Sequence, residues 1–476
     1  MDTKKLRQKI LDLAIHGKLV PQDSNDEPAS LLLERIRVEK ERLVKEGKIK
    51  KSKSSKTSDT PHYENVPFEV PEGWVWTTVE DICSKIGSGS TPKGSNYAPD
   101  GILFFRSQNV YNDGVVLDDI KYISEEVHQS MVGTEVLPND LLLNITGGSL
   151  GRCAIVPNDI DRGNVSQHVC ILRPIIVYAE YLHIFILSSF FTKTMKITGS
   201  GREGLPKYNL EKMLLPLPPI EEQTRIIHEL NKWIDWVRTI EESQQDLVET
   251  IRNTKNKILD LAIHGKLVPQ DPTDESASEL LKRINPNAQI TCDNEHYQNL
   301  PYEIPKNWSW TMLGKIGKWQ SGSTPSRMNK DYYNGNIPWL KTGDLNDGYI
   351  THIPEYITEK ALNETSVKLN ATGSVLIAMY GATIGKIGIL TFPATTNQAC
   401  CACEVFSGID KEFLFLFLLS HREEFIKMGG GGAQPNISKE KIINTYIPLP
   451  PFAEQKRIVS AVRKAFVKLD TIMESL

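Results

Sequence analysis

Beyond Pro219 the apolar positions fall into a long helical rhythm. Ile226, Leu230, Trp233, Val237, Ile240, Leu247, Ile251, Ile258 and Leu261 recur at alternating steps of four and three, with Gln244 and Thr254 as polar members. That spacing predicts a coiled-coil seam over about five heptads. A long helix packed on its own domain is the competing reading. Glu221 and Glu222 suit the first turn of such a helix, and Gly265 suits its C-terminal cap. A shorter version of the rhythm starts at Phe452 and runs through Ile458, Val462, Ala465, Leu469, Ile472 and Leu476. Ahead of each lies a mixed α/β pattern. Trp74-Val75-Trp76 and Trp308-Ser309-Trp310 open strands, and short strands broken by Gly, Asn and Asp follow. The apolar runs YLHIFILSSFF and FLFLFLLS predict buried helices.

The same letters return in both halves of the chain. KILDLAIHGKLVPQD occupies 9–23 and again 257–271. DEPASLLLERI is answered by DESASELLKRI, VPFEVPEGWVW by LPYEIPKNWSW, GSGSTP by QSGSTP, and LPLPPIEEQTRI by IPLPPFAEQKRI. The repeating unit is therefore a whole domain with its support, not a short solenoid module. Some pieces are identical, whereas the stretch from Trp76 to Pro216 matches its partner only at scattered anchors. One shared task and one task that differs between the halves would leave that record. The repeat is also circular. Residues 1–16 match 249–264, so the C-terminal and N-terminal helices together rebuild one central helix.

Composition narrows the function classes. With 40% apolar and 24% charged residues among 476, the chain is an ordinary globular sequence of about two to four domains. Its charged start and its short apolar runs predict a cytoplasmic protein with no secretory signal and no membrane span. Seven cysteines, with a single C-x-x-C at Cys400–Cys403, read as buried strand residues rather than as a metal or redox site. The net charge of −4 gives no global attraction to nucleic acid, so any such binding must rest on local clusters. The basic stretch KIKKSKSSKTSD at 48–59 reads as a solvated linker, with a non-specific phosphate contact as the alternative.

No catalytic constellation is present in the sequence. GATIGKIG at 381–388 has three residues between its glycines, and Ile387 stands where a phosphate loop needs Ser or Thr. A turn between two strands is the better reading. Lone histidines such as His168 read as satisfied side chains rather than bases. The polar residues at expected strand ends are of another kind. They are Ser90, Thr91, Lys93, Arg106, Gln108, Asn109, Arg152, Lys207 and Asn209 in the first half. In the second they are Ser323, Thr324, Arg327, Lys341, Asp344, Lys386, Gln434 and Asn436. Arg, Lys, Gln and Asn read base edges, Asp accepts from cytosine, and Ser or Thr serve phosphates. TGSGREGLPKYN and MGGGGAQPN read as flexible loops able to follow a backbone closely.

The P-x-x-W-x-W opening, SGSTP, LPPxxEQxRI and KILDLAIxGKLVPQ, in this order and duplicated, resemble the specificity subunit of type I restriction–modification systems. The resemblance covers essentially the whole chain. It implies an α+β architecture: two similar target-recognition domains joined by an antiparallel pair of long coiled-coil helices, related by a pseudo-two-fold circular repeat. The corresponding segments are N-terminal helices and basic linker (1–57), first recognition domain (58–219), central helix and linker (220–295), second recognition domain (296–451) and C-terminal helix (452–476). The resemblance further implies a non-catalytic subunit that reads a bipartite, asymmetric stretch of double-stranded DNA. It would dock two adenine-methyltransferase subunits and, through them, restriction and translocase subunits. S-adenosylmethionine, ATP and Mg would be used by those partners, and this chain would hold no cofactor and no metal. A coiled-coil adaptor without DNA specificity is the rival reading.

The circular repeat makes a geometric prediction. Leu476 aligns with Gln244 and Met1 with Glu249, leaving four residues between them in the equivalent helix. Five helical steps span roughly 7–8 Å, so spin labels near the two termini should report a separation of about one to two helical turns. A distance beyond roughly 16–22 Å, three to four turns, would contradict the circular relationship.

Overall fold

A computed structural model describes residues 1–50, 66–92, 97–198, 204–285, 301–430 and 436–476. The chain forms two compact units, Met1–Ser243 and Gln244–Leu476, whose boundary falls inside one helix running from Ile220 to Ile263. The reason is packing. Ile226, Leu230 and Val237 belong to the core of the first unit, and Leu259, Ala262 and Ile263 to that of the second. A helix that serves two cores does not keep one continuous apolar seam. Trp233 and Leu247, expected in the seam, are exposed, as is Thr254.

The two units repeat one topology. In the first, Val75–Thr78 pairs antiparallel with Leu214–Leu217, which leads directly into the long helix. A four-stranded sheet follows the order Cys83–Ser88, Val169–Pro174, Leu141–Asn144, Cys153–Ile155. A second sheet follows the order Lys121–Ile123, Ile102–Phe105, Gly163–Val165, Glu135–Val136, with its two middle strands parallel. In the second unit Ser309–Met312 pairs with Tyr446–Leu449, and the strand Tyr333–Leu340 again lies between an antiparallel and a parallel neighbour. One difference stands out: Gly348–Ile350 adds a fifth strand to the larger sheet, where the first unit has a small hairpin at Val110–Val115. The apolar runs are the buried helices Ala179–Leu187 and Lys411–Ser420.

The repeated motifs converge on one junction in each unit. Trp74 Nε1 donates to Glu222 at 2.8 Å, and Gln22 Nε2 donates to the other carboxylate oxygen at 2.8 Å and to the Gly17 carbonyl at 3.3 Å. Gln270 bonds Glu454 at 2.6 Å and the Gly265 carbonyl at 3.3 Å. Burial raises the pKa of both glutamates; Trp74 and Gln22 in one unit, Trp308 and Gln270 in the other, oppose that rise. Gln223 and Gln455 each accept from a backbone N–H, of Tyr178 and Asp410, and donate to the Pro218 and Pro450 carbonyls. Arg225 grips Asp26 through two nitrogens and Arg457 grips Asp274 the same way. His16 stacks on Phe68 at 3.9 Å, and His264 lies over Tyr302 at 3.8 Å.

Within each unit a second helix runs antiparallel to its part of the long one. Arg7 of helix Thr3–Ile15 meets Glu241 at 2.7 Å, while Asp26, further along, meets Arg225. In the second unit Gln244 donates to the Leu476 carbonyl at 2.8 Å, Lys255 pairs with Asp470, and Gln270 with Glu454.

Gly17 and Gly265 close the repeated helices in the left-handed region, at φ of 65° and 68°. A Cβ on either would lie 2.4 Å from Pro71 Cγ or Pro305 Cγ. Gly17→Ala and Gly265→Ala should therefore each cost about 2–4 kcal/mol, left-handed strain plus overpacking. Gly47 has φ of 73°, but a Cβ there would meet nothing within 4 Å. Gly47→Ala should cost only the conformational part, roughly 1–2 kcal/mol. Thermal melts of the three variants check this, and equal losses would contradict the close-packed junction.

Candidate nucleic-acid interface

Five of the polar residues expected to meet DNA, Arg106, Gln108, Asn109, Lys341 and Asp344, lie on the turns that end the strands Ile102–Phe105 and Tyr333–Leu340. Strand Ile102–Phe105 runs into Arg106 and a single 3₁₀ turn, Ser107–Asn109. Asn109 closes that turn from inside: its Oδ1 accepts from Arg106 N at 3.1 Å and its Nδ2 donates to the Val116 carbonyl at 3.0 Å. It is fully buried, so the expectation that it faces DNA is corrected; the amide is consumed by the turn. Arg106 and Gln108 remain at the surface of the turn and gather on one carboxylate. Arg106 Nη2 donates to the Asp119 carbonyl at 2.5 Å and to Oδ2 at 3.3 Å, and Gln108 Nε2 donates to Oδ2 at 3.0 Å. Lys121 reaches Oδ1 at 3.1 Å. These donors, Lys121 first and then Gln108, hold the Asp119 carboxyl below its ordinary range. Asp119 itself sits in the left-handed region, at φ of 52°.

The second unit repeats the turn with Lys341 and Thr342–Asp344, where Asp344 accepts from Lys341 N at 2.8 Å. One of the Asp344 oxygens is thus spent locally. Arg327 packs its guanidinium over Tyr333 at 4.5 Å and Trp339 at 5.0 Å. Arg327 and Lys341 share Glu355, Arg327 at 2.9 Å.

SGSTP has a structural share. Gly89 and Gly322 press against the backbone of Val165 and Thr396, where no Cβ fits. Ser90 N and Ser323 N donate to those same two residues' carbonyls at 3.1 and 2.9 Å. Thr91 and Thr324 donate their hydroxyls to Gln167 and Gln398, and Ser323 bonds the Ser366 hydroxyl at 2.8 Å. His168 is tied to Thr146 at 2.7 Å and to Gln167 at 3.2 Å.

Other expected residues are placed singly. Arg152 is exposed, 4.9 Å over the Tyr111 ring. Lys207 pairs with Glu211 at 3.3 Å, and Asn209 bonds the Lys196 carbonyl at 2.7 Å. Lys386 lies in the turn between Val375–Ala378 and Ile387–Leu390, and Asn436 is exposed. Lys93 and Gln434 lie outside the described residues, as do parts of the loops TGSGREGLPKYN and MGGGGAQPN and most of KIKKSKSSKTSD. The six described cysteines are buried and unpaired. No helix among the described residues is long and apolar enough to cross a membrane.

Sequence reasoning missed Asp119, Lys121, Glu355, Tyr333 and Trp339. Gln167 and Gln398 could have been found, because SQHVC and NQACC occupy the same place in the repeat.

A sequence model of the type I restriction modification DNA specificity domain matches residues 71–250 and, a second time, 305–474. The chain belongs to that family. It is 29% identical over 538 residues to the type I restriction enzyme EcoAI specificity subunit of Escherichia coli, across 96% of this chain and 88% of that one. The EcoEI specificity subunit of the same organism is 28% identical over 553 residues, 99% of this chain and 90% of the relative. A chain from a structure on complex assembly and conformational transition of the type I R-M system shares the fold, with a TM-score of 0.61 at 20% identity, covering 86% and 94% of the two chains. The HsdS subunit from Thermoanaerobacter tengcongensis shares it at 0.54 and 19% identity, covering 86% and 93%. As a member of the specificity family the chain is a DNA-recognition subunit, and its two matched regions fall one in each repeat.

Proposed function

We propose that this specificity subunit reads a bipartite, asymmetric DNA sequence, one half-site per globular domain, and docks two adenine-methyltransferase subunits. Restriction subunits join through them, and S-adenosylmethionine, ATP and Mg serve those partners. The chain itself carries no chemistry. The observation that carries this reading is a contrast within the repeat. The junction contacts recur: Gln22 on Glu222 against Gln270 on Glu454, and Arg225 with Asp26 against Arg457 with Asp274, with Trp74 and Trp308 at the same place in the repeat. The polar residues around the turn after the strands Ile102–Phe105 and Tyr333–Leu340 do not recur: Arg106, Gln108 and Lys121 in one domain, Lys341, Gly343 and Glu355 at the matching places in the other. A constant support under two different polar faces fits two different half-sites. Lys9, Lys18 and Pro21 support the docking reading. They are identical to Lys257, Lys266 and Pro269, all are exposed, and no packing requirement accounts for their identity.

Exchange of residues 60–219 for those of a relative, in a host carrying the complete system, should alter one half of the methylated sequence and leave the other intact. A change in both halves, or in neither, would count against one domain per half-site.

A further inference from the structure

The strand-end clusters of the two domains were assembled differently and arrive at the same balance of charge. LysTyrIleSer at 121–124 matches GluTyrIleThr at 355–358, and Arg106 matches Lys341. Lys121 and Glu355 therefore occupy one position of the repeat with opposite charge. Their register agrees: Lys121 faces Phe104, and Trp339, two residues before Lys341 as Phe104 is before Arg106, donates its N–H to the Glu355 carbonyl at 2.9 Å. Each domain then takes its counter-charge from elsewhere. The first supplies Asp119, which gathers Arg106, Lys121 and Gln108. The second supplies Arg327, held over Tyr333 and Trp339, so that Glu355 gathers Arg327 and Lys341. Both end with two cations on one carboxylate. Inheritance of the framework does not explain this, because the matching position has inverted its charge.

Building on the DNA-reading function proposed above, we infer that Asp119 and Glu355 are specificity-determining residues. Each carboxylate occupies its cations in the absence of DNA and yields them only to a base edge whose acceptors fit the geometry in which the turn holds them. Any phosphate can attract an unpaired Arg or Lys, and that attraction is blind to sequence. A cation already held by a carboxylate gains little from exchanging it for a phosphate, which offers the same charge and at most the same pair of oxygens. Paired acceptors on a base edge, such as O6 and N7 of guanine, return two bonds to one guanidinium and repay the exchange. Exposure suits such a role. The Asp119 side chain is 66% accessible, and Arg327 and Lys341 are 54% and 40% accessible, so the pairs open without unfolding. Surface ion pairs of this kind are individually weak, which makes them exchangeable.

The test uses the subunit assembled with its methyltransferase partners, and two duplexes of equal length: one bearing the sequence methylated in the host, one scrambled. Asp119→Asn and Glu355→Gln should each raise affinity for the scrambled duplex about fivefold, the effect of removing one nearby like charge. The dependence on salt should steepen by about one unit, and the sequence-bearing duplex should gain less, so discrimination falls. Lys121→Gln and Arg327→Gln should move scrambled binding the opposite way, which separates charge competition from a folding defect. Equal weakening on both duplexes, or no change on either, would overturn the inference and leave the DNA-reading function intact. A wild-type assembly that does not distinguish the duplexes would overturn both.

Discussion

A buried carboxylate at the start of each long-helix segment is the constraint on which the rest depends. Glu222 and Glu454 are almost wholly withdrawn from solvent, and a charge so placed is costly unless donors reach it. The donors come from distant parts of the chain: in both units an amide from the loop after the repeated helix end, and in the first unit also the indole just ahead of the opening strand. In the first unit, satisfying the oxygen pair thus fixes three elements against each other. The adjacent Gln223 and Gln455 bind the loop ahead of the buried helix, and Arg225 and Arg457 bind the loop that follows the repeated block. Three polar roles in E-Q-x-R lock a domain to its support.

The same geometry explains the verbatim repeat. Within KILDLAIHGKLVPQD, Ala14 and Ile15 are core, His16 stacks on an aromatic ring, Gly17 presses on a proline, and Gln22 reaches the glutamate. The second copy makes the same contacts at Ala262, Ile263, His264, Gly265 and Gln270. These were legible as important from their recurrence. Their partners were not, because one sequence does not reveal which distant residues meet. The two units, the opening strands, the buried helices and the long helix were equally legible, since apolar period and repetition carry them. The strand Leu214–Leu217 was hidden behind its prolines, and Pro216 is accommodated there because its pairing partner, Trp76, lies in a two-stranded ladder. Trp233 and Leu247 kept the apolar rhythm while standing exposed, because residue type reports apolarity and not the direction a helix face takes. The site was half legible. Arg106, Gln108, Arg327 and Lys341 were chosen by type and place, whereas the carboxylates that organise them, Asp119 and Glu355, lie 11 or more residues away in sequence and meet them only in the fold.

That last point bears on the net charge of −4. A DNA reader with no excess of positive charge gives up non-specific affinity, which scales with phosphates neutralised. On the proposed reading, what it keeps is readout by side chains whose charge is locally balanced and whose geometry is held by turns, stacked rings and shared carboxylates. On that reading, two domains built on one frame differ at the turns proposed to meet DNA, while the junction beneath them stays constant.

The most direct test of this account is the adenine methylome of a host carrying the complete system with this subunit. The account predicts one methylated sequence made of two unlike half-sites separated by a spacer of constant length. A single uninterrupted motif, or two half-sites that repeat each other, would contradict the claim that a constant support carries two different readers.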